Sequence, residues 1–203
     1  MKLYYAPGAC SLAAHIVADE ADLRLQLEKV DLKSHTTENG QDYYSVNPKG
    51  YVPAIQLDDG SMLTENIAVL NYLADKMAHK LHTPAAGTME HYHLEEWLGF
   101  INSELHKSFA PLFHDAPDEA KREAKEKILQ RLAYVDKQLG DKPFLMGERF
   151  TVADAYLYVM LTWAKKMKLD LSRYNRLAAF FARMSRRDSV KRAFKEEGLP
   201  LAA

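Results

Sequence analysis

The sequence predicts an α/β first half, a mixed four-stranded sheet with helices, followed by an all-helical second half. Three observations carry this. Short strand-like apolar runs alternate with helical-period runs up to Leu73. A polar run from Lys76 to Thr88 then breaks the pattern. Beyond it, the apolar residues recur at steps of 3 and 4 in segment after segment. At 203 residues the chain can bury one large or two small cores, and we expect a first domain over 1–77, a linker over 78–87 and a helical domain over 88–203.

Lys2 to Ala6 reads as a short strand ended by Pro7-Gly8. Leu12, His15, Ile16, Asp19 and Leu23 step with helical spacing, so Cys10 and Ser11 fall in the first turn of a helix. There the free N–H groups and the positive helix end favour a thiolate, either that of Cys10 or that of a ligand sulfur beside it. A small apolar cysteine packed under a loop is the common alternative. Leu25, Leu27 and Val30 form the next strand, parallel to the first by the right-handed crossover rule. His35 to Val46 reads as a weak helix or loop.

The stretch from Asn47 to Tyr72 carries the most information. Asn47-Pro48 and Lys49-Gly50 mark a turn. Pro53, lacking an N–H, must begin the strand that contains Ala54, Ile55 and Leu57, and is a candidate cis proline. Asp58-Asp59-Gly60 closes a tight hairpin onto Met62 and Leu63, and a helix starts near Thr64-Glu65-Asn66. Backbone at Val52 freed from sheet pairing can take an extended peptide, and free N–H groups around Asn66 can hold a carboxylate. Taken singly, Pro53 merely ends a loop and Asn66 merely caps a helix; their co-occurrence points to a site for a short peptide with an anionic end.

In the second half, Leu94, Leu98, Ile101, Leu105, Phe109 and Leu112 define the core stripe of one long helix from Met89 to Phe113, beside a small or polar stripe of Gly99, Ser103, His106 and Ala110. Pro117 to Leu139 buries Ile128, Leu132, Val135 and Leu139 and turns its charges to solvent. Thr151 and Asp154 have capping-box spacing, a folding device. Ala155 to Lys168 is apolar on nearly every side and is expected to be the central helix, with further helices over Tyr174 to Ser185 and Ser189 to Glu197.

Composition excludes several partners. With 27 Lys plus Arg against 28 Asp plus Glu, a net charge of -1 offers no field for nucleic acid or an anionic membrane. One cysteine permits no internal disulfide or cysteine zinc cluster and suits a reducing compartment, so a cytoplasmic protein is expected. The N-terminus lacks a secretory core, and no apolar run reaches 18 residues. His79 and His82, like His91 and His93, make poor metal pairs, and no metal is expected.

V-P-A at Val52, followed by Glu65 and the helix start at Asn66, resembles the glutathione-binding half of the glutathione transferases, and M-K-L-Y-Y-A-P-G-A-C-S-L-A at the N-terminus is similar to their bacterial beta class. The similarity spans essentially the whole chain. It implies a thioredoxin-like first domain, an all-helical second one, a homodimer, and glutathione as co-substrate. S-E-L-H-K-S-F, from Ser103, resembles the beta-class segment whose histidine, here His106, faces the glutathione sulfur across the domain interface, while Ser103 and Glu104 reach the glutathione of the neighbouring subunit. The resemblance further implies ligand contacts from Tyr5, Ala9, Cys10, His35, Tyr51, Val52, Pro53, Glu65 and Asn66. His35 stands where members often carry lysine, and Gly99 where they often carry asparagine.

The implied chemistry is activation of the glutathione thiol for attack on apolar electrophiles, with Cys10 and His106 at the sulfur. Cys10 could instead act covalently through a mixed disulfide, in thiol transfer or reductive dehalogenation; Ala13, where a CxxC motif would hold its second thiol, excludes an internal disulfide cycle. A rival from another class is a non-enzymatic module binding apolar ligands or a partner protein.

Overall fold

The computed structural model describes residues 1–200 and divides into two compact units, one formed by Met1–Leu81 with the stretch beginning at Ser185, the other by His82–Met184. The sequence placed everything after residue 88 in the helical domain. The C-terminal stretch instead packs on the first helix of the chain.

In the first unit, β1 (Lys2–Tyr5), α1 (Ser11–Glu20) and β2 (Gln26–Asp31) make the expected crossover, with β1 and β2 parallel and Leu3 opposite Leu27. β4 (Ala54–Gln56) pairs antiparallel with β1, and β5 (Met62–Thr64) with β4. The sheet has five strands, not four, because Thr36–Thr37 adds a two-residue β3 on the edge beside β2, giving the order β3-β2-β1-β4-β5. The segment read as weak helix or loop therefore begins as strand, and only Tyr43–Ser45 coils, as a 3₁₀ turn whose Tyr44 N–H is met by the Asp42 side chain. Two residues of strand flanked by polar positions leave little periodicity to read.

Gly60, at φ +85°, turns the β4-β5 hairpin as expected. The Val52–Pro53 peptide is cis, as anticipated. α2 (Asn66–Lys76) follows, burying Val69, Leu70 and Leu73 against the sheet side of the unit. α1 is buried over its first eight residues, since α2 covers it and so does α8 (Asp188–Glu196).

The α1–α8 contact is charged inside. His15, 2 % exposed, meets Glu197 through Nδ1 at 3.1 Å and Glu196 through Nε2 at 2.9 Å. Arg187 and Ser189 both bond the Glu20 carboxylate. Burial works against charge on His15, but the two carboxylates outweigh it and its pKa is raised. The Glu197 carboxylate also accepts the Gly8 N–H at 2.8 Å, which ties the turn ahead of Cys10 to the C-terminal helix.

The second unit is helical. α3 (Met89–Phe100) runs into a π-helical turn (Ile101–His106), a 3₁₀ turn (Lys107–Phe109) and α4 (Ala110–Phe113). The long helix expected from Met89 to Phe113 is thus continuous in path but under-wound at its centre. α5 (Asp118–Leu139) buries the predicted stripe, with Ile128, Leu132 and Val135 fully covered. α6 (Val152–Lys166) is central, buried from Val152 through Leu161 without a gap, and α7 (Asn175–Ser185) completes the unit. The capping box that starts α6 is present. Asp154 accepts from the Thr151 N–H at 2.8 Å, the Thr151 hydroxyl at 2.9 Å and the Leu145 N–H at 2.8 Å. No described helix is long and apolar enough to cross a membrane.

Candidate active site

Cys10 is the residue before α1, in the turn that Gly8 enters at φ +70°. Half-buried, it donates its thiol hydrogen to the Val52 carbonyl at 3.2 Å. Burial pushes its pKa up to about 12; the N–H groups of Cys10 and Ser11 pull the other way, and the Glu65 charge adds to the rise. Of the two thiolates the sequence left open, Cys10's own is therefore the disfavoured one: in the free protein Cys10 is a thiol at neutral pH. Tyr5, on β1, is 7 % exposed, and burial followed by the charge of Glu197 raises its phenol, so it stays protonated. Ala9 closes the turn, its N–H bonded to the Ala6 carbonyl at 3.0 Å.

The backbone leading into Val52 is held rigidly. The Tyr51 carbonyl accepts from the Tyr43 hydroxyl at 2.8 Å and from the Asn47 amide at 2.8 Å, while the Tyr51 ring is 70 % exposed. Because β4 begins only at Ala54, Val52 and Pro53 lie outside the sheet ladder. Next to this segment His35, at φ +51°, stacks on Tyr44 with centroids 4.4 Å apart. Gly50 makes room for that pair: at its φ of +69° a Cβ would come within 2.8 Å of Tyr44 and 3.0 Å of His35 Nδ1. The His35 Nδ1 is buried without a hydrogen-bond partner.

At the start of α2 the polar groups are arranged for something the chain does not supply. Asn66 is 7 % exposed, and neither its Oδ1 nor its Nδ2 has a hydrogen-bond partner. A buried side-chain amide left in that state costs on the order of 1–3 kcal/mol. The helix cap expected of Asn66 is not made; Glu65 holds the N-cap position, with no side-chain cap bond, at φ +70° and ψ 123°. Such a backbone costs a non-glycine residue on the order of 1–3 kcal/mol and persists where function demands it. The Glu65 carboxylate is exposed and pairs with Lys49 Nζ at 2.6 Å. Unpaired amide, open helix N–H groups and a carboxylate held beside them can together take a zwitterionic amino-acid end, carboxylate to the amide and N–H groups, ammonium to Glu65.

Ser103, Glu104 and His106 belong to the second unit, on the π-helical turn. Ser103 is exposed and donates to the Gly99 carbonyl at 2.9 Å. The Glu104 carboxylate is engaged by Arg131, at 3.1 Å from Nε and 2.8 Å from an Nη. His106 Nδ1 lies 2.5 Å from the Tyr156 hydroxyl, and its ring sits 4.9 Å edge-on from Trp163. Burial, with a smaller push from Lys107, lowers its pKa to about 4, so it is neutral at physiological pH.

Sequence reading missed Tyr156, Asn102, Lys49 and the pair Tyr43 and Asn47. Tyr156 lies in the apolar run of the central helix and is core there, and nothing in spacing distinguishes a core tyrosine with a bonded hydroxyl from any other. For Asn102 a signal existed: it lies four residues before His106, on one helix face.

Comparison with known proteins gives the family. Residues 8–76 match the family model described as glutathione S-transferase, N-terminal domain, and residues 100–188 that described as glutathione S-transferase, C-terminal domain. The chain is 46 % identical over 200 residues to glutathione S-transferase GstA of Escherichia coli O157:H7, covering 98 % of this chain and 100 % of that one. Among solved structures, the ternary complex of BphK, a bacterial GST, superposes with a TM-score of 0.95 at 50 % identity, covering 98 % of this chain and 100 % of that one. The bacterial beta class glutathione S-transferase of Sphingomonas chungbukensis gives a TM-score of 0.95 at 45 % identity over the same shares. A thioredoxin-like unit and a helical unit, carrying these motifs and these relatives, place the chain in the glutathione S-transferase family, in its bacterial beta class, as an enzyme whose co-substrate is glutathione.

Proposed function

We propose that the enzyme conjugates glutathione to apolar electrophiles, a detoxifying activity of a cytoplasmic homodimer, and that the start of α2 holds the γ-glutamyl end. The observation that carries this is Asn66, buried with both polar atoms unpaired beside the strained Glu65. Asn66 and the adjoining N–H groups take the γ-glutamyl carboxylate, Glu65 its ammonium, and the Val52 backbone pairs with the cysteinyl unit. Tyr51 and Pro53 shape that edge, and His35 receives the glycine end through its unpaired Nδ1. The sulfur then lies at Cys10, with Tyr5 and Ala9 as walls.

A free glutathione thiol, with a pKa of about 8.5, is only a few per cent ionised at pH 7; lowering it by about two units makes most of it thiolate. The Cys10 N–H and the α1 dipole supply that shift, His106 takes the hydrogen bond of the thiol, and the thiolate attacks the electrophilic carbon. Cys10 contributes as a neutral thiol, a reading supported by its pKa of about 12, rather than as a nucleophile forming a mixed disulfide. Ser103 and Glu104 extend to glutathione of the second subunit, in Glu104's case by exchanging its Arg131 contact.

Titration calorimetry of glutathione against wild type and Glu65→Ala tests the site before any electrophile is chosen. A 10-fold or larger loss of affinity is expected; equal affinity would remove α2 from the reading. Conjugation of an aryl halide by Cys10→Ala at wild-type rate would in turn exclude any covalent route.

A further inference from the structure

The hydrogen bonds around His106 fix which of its nitrogens carries the proton. The Tyr156 hydroxyl lies 3.1 Å from Asn102 Oδ1 and 2.5 Å from His106 Nδ1. A phenol has one hydrogen to give. Asn102 Oδ1 is a carbonyl oxygen and can only accept, so the phenolic hydrogen goes there. What remains between the phenol oxygen and Nδ1 is an N–H donated by the imidazole. Nδ1 is therefore the protonated nitrogen, and Nε2, which makes no hydrogen bond among the described residues, carries the lone pair.

The backbone explains why Asn102 and His106 reach one phenol. They are four residues apart on the π-helical turn Ile101–His106, where each turn takes up more than four residues and the i, i+4 pair is brought into line. Tyr156 comes from the middle of α6, is 0 % exposed and cannot swing away. The Trp163 ring, 4.9 Å from the imidazole and 81° to it, blocks ring rotation on another side.

We infer that Tyr156 and Asn102 form a positioning pair that locks His106 in its Nδ1–H tautomer, so that Nε2 can serve a sulfur only as a hydrogen-bond acceptor for S–H and not as a donor to a thiolate. This rests on the reading that His106 serves the sulfur. The consequence is a division of labour at the sulfur: the thiol form is oriented by His106, and the thiolate is stabilised by the N–H groups at the start of α1. Because burial, with a smaller push from Lys107, keeps the imidazole neutral at pH 7, tautomer and not charge decides what Nε2 can do.

The test is long-range ¹H–¹⁵N correlation of the full-length enzyme labelled at histidine, at pH 7, with the His106 resonances assigned by loss in His106→Phe. A pyrrole-type Nδ1 and a pyridine-type Nε2 are expected; the reverse pattern overturns the inference. Asn102→Leu removes the acceptor and frees the phenolic hydrogen for Nδ1, so the tautomer is expected to invert or mix and kcat for conjugation of an aryl halide to fall about 10-fold with the glutathione KM unchanged. Asn102→Asp keeps a pure acceptor and should retain both the ¹⁵N pattern and kcat to within about 3-fold; Tyr156→Phe should behave as Asn102→Leu. An unaltered tautomer in Tyr156→Phe and Asn102→Leu would overturn the positioning role. If kcat and the pKa of bound glutathione, read by thiolate absorbance, were wild-type in His106→Phe, the reading of His106 itself would fail, whatever the tautomer.

Discussion

Two helix starts in this protein are buried, polar and near acidic residues, and they are built in opposite ways. At α6, Thr151 and Asp154 are 1 % and 0 % exposed and satisfy each other, with Asp154 also accepting the Leu145 N–H. At α2, Asn66 is 7 % exposed and satisfies nothing, and the residue ahead of it sits at φ +70°. Both carry a sequence signature of a helix N-terminus. The difference is whether the chain closes its own hydrogen bonds. Where it does, the feature belongs to folding; where it leaves a buried amide unpaired and a backbone strained, the missing partner comes from solution.

The comparison breaks most visibly at α6. Asp154→Ala leaves three buried donors without their acceptor, and each costs about 1 kcal/mol or more. A loss of roughly 3 kcal/mol lowers Tm by about 6–12 °C for a chain of this length, while glutathione affinity in the surviving folded protein stays at the wild-type value. Thermal melts monitored by circular dichroism, paired with calorimetry of glutathione binding, check both halves; a normal Tm would show that Asp154 does not hold this helix start.

The same pair of measurements should give the mirror image at α2. Asn66→Ala removes an amide that no protein group uses, so Tm is expected to hold or rise while glutathione affinity drops about 10- to 100-fold, the worth of one or two charge-assisted hydrogen bonds. Glu65→Gly sharpens this further. Glycine accepts φ +70° without penalty, so the variant should be about 1 kcal/mol more stable than wild type yet bind glutathione more weakly. Lower stability together with weaker binding in both variants would mean that α2 is an ordinary folding feature.

Much of the fold was legible in the residues. The Pro-Gly stop after β1, the Asp-Gly hairpin, the capping box and the buried stripes of α5 and α6 each have a local physical cause, and each lies where expected. The two-residue β3 and the π-helical turn were not legible: the first is too short to show a period, and the second depends on how α6 packs against residues far away in sequence. The same applies to the site. Asn66 and Glu65 were readable as a helix start, but that the amide has no partner, and that Cys10 is a half-buried thiol with a pKa of about 12 rather than a resting thiolate, depend on the surroundings the fold brings to them. So does the split between His15, whose pKa is raised, and His106, whose pKa is lowered.

That split makes the next expected effect, smaller because each histidine titrates against only part of its environment. His15 has a raised pKa, so the fold gains from its charge below the unfolded value of about 6.5, and the gain is lost as pH rises through the higher folded value. His106, lowered to about 4, works the other way: the unfolded chain takes up its proton first, so its presence erodes stability as pH falls from about 6.5 to 4. His15→Gln should therefore cost more Tm at pH 6 than at pH 9, and His106→Gln should flatten the acid side of the Tm profile. Parallel profiles for the two variants would contradict the opposite pKa shifts.

The smallest effect tests whether the α2 site is occupied by a substitute in the free protein. Lys49 Nζ sits 2.6 Å from the Glu65 carboxylate, the place proposed for the glutathione ammonium, so the ligand must displace one cation with another. Both side chains are largely exposed, and a pair of that kind contributes roughly 0–1 kcal/mol. Lys49→Met frees Glu65 before the ligand arrives, and the glutathione KM is expected to fall by about 2- to 3-fold, with the difference shrinking in 0.5 M salt as the wild-type pair is screened. A KM that rises instead would put Lys49 among the groups that hold glutathione, and the carboxylate at Glu65 would then be shared by protein and ligand rather than exchanged between them.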